Sequence, residues 1–175
     1  MQPQGELTQT GTWQGPGGVV FEFATTANLK APALKTLFAY WLAKSAGRIG
    51  PSRDDINPTD IPAILPNIHM HDVLDGGRAF RARLIGTQIV AAIGDDQTNR
   101  IFTESENDLV GARVFAAMSA VVTHKRPIRG TARHAAAPRL DFLSAESVFL
   151  PLSSDGQKVN KLLACTIFSQ PQSLL

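Results

Sequence analysis

The apolar positions change period several times along the chain, and each change marks an element. Leu34, Leu37, Phe38 and Trp41 recur at helical spacing, flanked by Tyr40 and Leu42. Pro32 suits a first turn, where its missing amide hydrogen is not needed, and Gly47 suits a stop. The pattern predicts a helix over 32–46, its aromatic stripe fit for a core or a dimer contact. A longer stripe runs through 106–124, with Leu109, Val110, Val114, Met118, Val121 and Val122 on one side and Pro127 ending it. A short helix around Ile89, Val90 and Ile93 closes at Gly94.

Between the helices, strands are expected. NIHMHDVLD and RAFRARLIG read as a hairpin turning at Asp75-Gly76-Gly77. PIRGTARH, FLSAESVFLPL and VNKLLACTIF follow the long helix, the last two joined by the turn SSDGQK. VVFEF at 19–23 is a short strand packed on the body, and DDQTNRIFTE is irregular. Residues 1–18 are rich in Gln, Gly, Thr and Pro, as a poorly ordered arm would be.

The stretch PSRDDINPTDIPAILPNIH places four prolines among Ile56, Ile61, Ile64, Leu65 and Ile68. Flexible linkers use Gly and Ser, so this segment reads as a docked strut. One short helix is expected in it, capped by Thr59 or Asp60, with Pro62 in its first turn and Pro66 as its stop. Asp54 and Asp55 suit turn or capping roles.

Two terminal hairpins with helices between them are arranged most economically as an α+β domain, a five-stranded antiparallel sheet with those helices on one face. Leu162, Ala164, Thr166 and Phe168 alternate with Leu163, Cys165 and Ile167, so the last strand is apolar on both sides and both faces are covered. The helix at 32–46 covers the second face, and the strut carries the chain from it to the first strand. Short helices leave a cavity over the other face, the natural place for a ligand. The expected division is an arm over 1–31, one domain over 32–170 and a tail over 171–175.

Composition adds limits. Seventeen Lys and Arg against fifteen Asp and Glu leave +2, too little to imply nucleic acid. Arg113, Lys125, Arg126, Arg129, Arg133 and Arg139 form a basic strip without acids, read as a solvated face, and no aromatic interleaves Lys125–Arg139 as a stacking platform would need. The single Cys165 allows no intrachain disulfide, and no secretory or membrane-spanning stretch stands out, so the expected location is the cytoplasm.

At this point the residues resemble a known family. PSRDDINPTDIPAILPNI fits a P-x-R-x-D-x-x-P-x-x-I-P-x-x-L-P pattern, and FRARLIGTQI fits an R-x-R-L-x-G-T strand. Together with the closing hairpin they resemble the single-domain bacterial PAS family over about 34–168. The departure is Asn99, where the family's GxDxTGR-like turn has glycine; asparagine tolerates left-handed backbone better than most residues. The resemblance implies a sensory or regulatory module, usually a homodimer, with a PAS-like sheet.

Candidate chemistry is sparse. Met70, Phe102, Val114, Met118, Phe149 and Cys165 are the candidate cavity residues, with Arg83 to hold an anionic ligand or, more simply, an acid such as Asp72 or Glu146. His69 and His71 share a strand face and read as partly exposed residues, a metal pair lacking a third ligand. His124 on the long helix is a minor candidate for haem iron, although its Lys-Arg-Pro neighbours suggest surface. Light-sensing flavin chemistry needs a cysteine in a helix, and Cys165 is in a strand. No GxSxG, P-loop, HExxH or CxxC motif occurs.

The expected function is therefore a non-catalytic sensory or regulatory module that binds a small ligand, a signalling partner in trans, or both. With no kinase, cyclase or DNA-binding segment expected in this sequence, output would pass through contacts with another chain. The alternatives are a small cavity-fold enzyme of the dehydratase or isomerase kind, which needs an acid/base pair inside, and a purely structural dimerisation protein.

Overall fold

A computed structural model describes residues 11–135 and 143–170. In chain order the elements are β1 (Thr12–Gln14), β2 (Val20–Phe23), α1 (Pro32–Ser45), β3 (Ile68–Leu74), β4 (Ala79–Ile85), α2 (Thr87–Ile93) and β5 (Ile101–Thr103). Then come α3 (Leu109–His124), β6 (Ile128–Ala132), β7 (Ser144–Leu152) and β8 (Lys161–Ser169). Arg139 of the basic strip, the first ten residues of the arm and the tail 171–175 lie outside the described residues.

The fold is α+β with one antiparallel sheet, but the sheet has eight strands and not five. Its order is β1-β2-β6-β7-β8-β3-β4-β5. The five expected strands are its middle, and the two terminal hairpins meet where β3 pairs β8. The additions lie at the rims. β1 and β2 form a hairpin that pairs β6, so residues 12–23 continue the sheet. β5 pairs β4 inside the stretch read as irregular. The turn before it keeps its shape despite Asn99, which adopts φ 69° while Asp96 accepts hydrogen bonds from the amide and hydroxyl of Thr98.

α1 and the strut roof one face. Leu34, Leu37, Phe38 and Trp41 are buried against Val148, Leu150, Leu163 and Cys165, so the aromatic stripe is core and not a dimer contact. Ile56, Ile61 and Ile64 of the strut join the same cluster. The strut is three 3₁₀ turns, Arg53–Asp55, Pro58–Asp60 and Pro62–Asn67, where one helix is expected. Neither Thr59 nor Asp60 caps the turn that begins at Pro62, which follows Ile61 without a side-chain cap; Asn57 caps the middle turn by accepting from the Thr59 amide, and Asp55 accepts from the Ser52 amide. Asp60 instead accepts from the Tyr40 hydroxyl on α1 at 2.9 Å, and Pro66 sits inside the last turn. Rings lock both the turns and α1 because prolines leave few alternative backbone states.

The basic strip is a solvated face only in part: Lys125, Arg126 and Arg133 are exposed, whereas Arg113 and Arg129 are taken up by other segments. Arg129 is half-buried between Glu22 of β2 and Glu146 of β7, each 2.6 Å away. Glu146 also accepts the amides of Lys30 and Ala31 at the start of α1, at 3.0 and 2.7 Å. One carboxylate thus joins three elements, and the anion sits where the helix N-terminus favours it. Arg113 donates to the carbonyls of Pro16, Gly17 and His134, and Arg126 stacks 3.9 Å over the Phe23 ring. Glu146→Ala should cost about 2 kcal/mol in denaturant unfolding, since it strands a mostly buried guanidinium and two amides. A loss below about 0.5 kcal/mol would mean that Glu22 alone compensates Arg129.

Candidate functional site

The other face of the sheet lies under α3 and α2, and the contact is incomplete. A cavity of about 120 Å³ remains. Its floor is β3, β8, β7 and β6, its roof Val110 and Val114 of α3 with Ile89 and Ile93 of α2. Val19, just before β2, and Phe21 within it close one side, so the added N-terminal strand is part of the wall. Ile85 reaches in because a bulge on β4 opposes two residues to one. Met70 faces Leu84 but His71 faces Ala82, leaving Arg83 as the extra residue. The bulge shifts the alternation by one and turns Ile85 inward.

Strand parity sorts the candidates. Phe102, Val114 and Phe149 line the cavity as expected. Met70 and Cys165 do not; they point to the opposite face, in the core beneath α1. Met118 is on the cavity side but fully buried, filling core beside Phe80 and Val121. Arg83 lies half-exposed outside, with its Nε 3.4 Å from Asp72, an ion pair and not a ligand hook. His124 is exposed, with its ring against Trp13 and Phe23, so no helix histidine faces the cavity.

The histidines of β3 are the correction that matters. His69 and His71 are buried, not partly exposed, and both line the cavity. His69 Nδ1 lies 3.0 Å from His71 Nε2, and His69 Nε2 lies 3.1 Å from the Thr166 hydroxyl on β8. That hydroxyl is 2.7 Å from Ser147 Oγ on β7. Four polar groups thus run in one chain across three strands. Phe149 meets His69 edge-on and Phe102 meets His71 the same way, so aromatic rings enclose both imidazoles. His71 Nδ1 is buried without a partner among the described residues.

Burial brings His69 down to about 4, and burial together with its neighbour His69 pulls His71 well below the ordinary imidazole value. Charged imidazolium is costly in an apolar shell, so both rings are neutral at pH 7. Among the described residues no carboxylate lines the cavity. Among the described residues no three His, Cys, Asp or Glu side chains come together as a metal site would require. The signal for this site in the sequence was the same-parity polar set His69, His71, Ser147 and Thr166 in otherwise apolar strands.

Haem and flavin do not fit here. The cavity is close to the ~150 Å³ that takes a benzene ring in an apolar core, against the ~300–1,000 Å³ of a drug-sized site. Cys165 is under α1 on the wrong face, its thiol pushed up to about 12 by burial, so it is no photochemical nucleophile.

An antiparallel sheet whose terminal hairpins meet at its centre, covered by helices over a small, largely apolar chamber, is the build of a small sensory domain. The chain belongs to the PAS domain family, whose profile matches residues 29–167, from just before α1 nearly to the end of β8. No curated protein and no solved structure matches it significantly. The match runs through the strut, the bulged strand and the closing hairpin, and leaves out β1 and β2. As a class, PAS domains are sensory and regulatory modules, generally non-catalytic. Among the described residues, no helix is long and apolar enough to cross a membrane.

Proposed function

We infer that the protein is a non-catalytic sensor that holds a small, largely apolar molecule between α3 and the sheet. The occupied state is read by a second chain, either another copy in a homodimer or a signalling partner in trans. The carrying observation is the cavity itself, with largely apolar walls, two neutral imidazoles on its floor beside Ser147 and Thr166, and Gln97 and Arg113 also in its lining. A ligand acts on such a system only by favouring one arrangement of the roof over another, because equal affinity for both shifts nothing. α3 is the element placed to respond. It touches the ligand space through Val110 and Val114, and through Arg113 it holds the backbone before β2 and after β6.

The dehydratase or isomerase reading has less support. Deep acid/base chemistry needs one group protonated and another ready to accept near neutral pH. Among the described residues the cavity offers two bases weakened in the same direction and no acid.

Val114→Trp should fill the cavity from the roof while leaving the fold intact. Amide NMR of the wild type titrated with benzene should show shifts confined to cavity-lining residues. In the variant those shifts should vanish, and the oligomeric state by sedimentation should change. Benzene shifts scattered over the surface would remove the cavity from the argument. An unaltered assembly in the filled variant would remove α3 as the reporter.

A further inference from the structure

The chain His71–His69–Thr166–Ser147 has two possible directions, and proton accounting separates them. A neutral imidazole carries one N–H and one bare nitrogen, and a hydroxyl carries one proton. In the first direction His71 donates to His69, His69 donates to Thr166, and Thr166 donates to Ser147. The Ser147 proton then needs another acceptor, and among the described residues its only partner is Thr166. His71 Nδ1 would also be left as a bare, buried acceptor. In the second direction Ser147 donates to Thr166, Thr166 donates to His69 Nε2, and His69 Nδ1–H donates to His71 Nε2. Every hydroxyl proton is then used. One group is left over, a His71 Nδ1–H with nothing to donate to.

The second direction leaves one group without a protein partner where the first leaves two, the second of these being the proton of the part-buried Ser147 hydroxyl. A buried orphan N–H is rare in native proteins because it forfeits its water without compensation. We propose that His71 Nδ1–H is the recognition point of the cavity, and that the molecule bound there is a small apolar compound carrying an uncharged carbonyl-type acceptor. Thr166 is a positioning residue, because its hydroxyl proton fixes His69 and through it the tautomer of His71. An uncharged acceptor is favoured over a carboxylate because both imidazoles are neutral donors at best, and Arg113, the one cation in the lining among the described residues, is already committed to three backbone carbonyls. This specificity rests on the sensor reading above, but its test is separable from it.

Three five-membered rings of similar size serve as probes: cyclopentanone accepts only, pyrrole donates only, and methylenecyclopentane does neither. Titrations followed by amide NMR should rank cyclopentanone about ten-fold tighter than methylenecyclopentane, the value of one satisfied buried hydrogen bond, with pyrrole no better than the hydrocarbon. Long-range ¹H–¹⁵N spectra of the ligand-free protein should place the proton on Nδ1 of both His69 and His71. His71→Phe should abolish the ten-fold preference and keep hydrocarbon binding, and His71→Gln, which retains a donor, should keep part of it. Thr166→Val should scramble the tautomers and erode the preference, which a purely structural role would not do. Equal affinity for the ketone and its hydrocarbon isostere, a preference for pyrrole, or protons on Nε2 would overturn the proposal while leaving the benzene result intact. Failure of all three probes to bind would overturn it together with the cavity reading.

Discussion

Replacing Gly50 by alanine is expected to destabilise the protein by about 3 kcal/mol or more, a large loss for one methyl group. A Cβ at that position would stand 2.0 Å from the Pro151 carbonyl oxygen and 3.3 Å from Trp41 Nε1. Neither neighbour is a loose side-chain end. Pro151 O is main chain in β7, and it accepts the indole N–H of Trp41 at 2.8 Å. One step on, the Ser153 amide donates to Pro51 O at 2.9 Å, so strut and strand are pinned on both sides of the collision. The methyl has to force the start of the strut off the sheet and break the Trp41 bond. Trp41→Phe, which loses that bond together with part of the buried indole volume, should cost about 2–3 kcal/mol. Urea titrations of the two variants check the pair; a Gly50→Ala loss under about 1 kcal/mol would show that the strut slides freely.

The second large effect is acid sensitivity. Unfolded histidine titrates near 6.5, whereas folded His69 does so only near 4 and folded His71 well below its ordinary value. Between those limits the unfolded chain binds more protons than the folded one, so stability is complete above about pH 6.5 and falls as pH drops toward 4. His69 alone accounts for a loss of the order of 3 kcal/mol across that window, and His71 acts in the same direction. The surface carboxylates Asp55, Asp75, Asp96 and Asp155 are held below their usual range by hydrogen bonds, so their contribution to acid unfolding comes at lower pH. Unfolding free energies at pH 7.5 and 4.5 should therefore differ by several kcal/mol. In the His69→Gln/His71→Gln double variant most of the difference should disappear. A wild-type profile flat over that range would mean the imidazoles are hydrated in solution.

These effects were unevenly legible from the residues alone. Helical spacing marked α1 and α3 because their stripes run over several turns, and alternation marked the five long strands. β1 and β5 are three residues each, too short for any period to register. Both sheet faces carry a core, so apolar alternation could not say which parity faces the cavity. Assigning Met70 inward placed His69 and His71 outward, and every later inference about them followed. The polar members of β7 and β8, Ser147 and Thr166, were the clue to the right parity. A solvated strand has polar positions throughout one side, whereas these four sit among alanine, leucine and phenylalanine. The Arg83 bulge had no sequence signal, since nothing in FRARLIG marks an extra residue. The basic strip misled because proximity along the chain hid the fact that Arg113 and Arg129 are taken up by carbonyls and carboxylates from distant segments.

The two rims of the sheet are β1 and β5, the shortest strands of the eight. A stranger's backbone that tried to extend the sheet would find three residues of open ladder at either side, too little to hold a new strand. The five longest strands are all interior and already paired on both sides. Among the described residues neither rim favours self-association through main-chain hydrogen bonds, so pairing of copies there would fall to side-chain surfaces that evolution can retune one residue at a time.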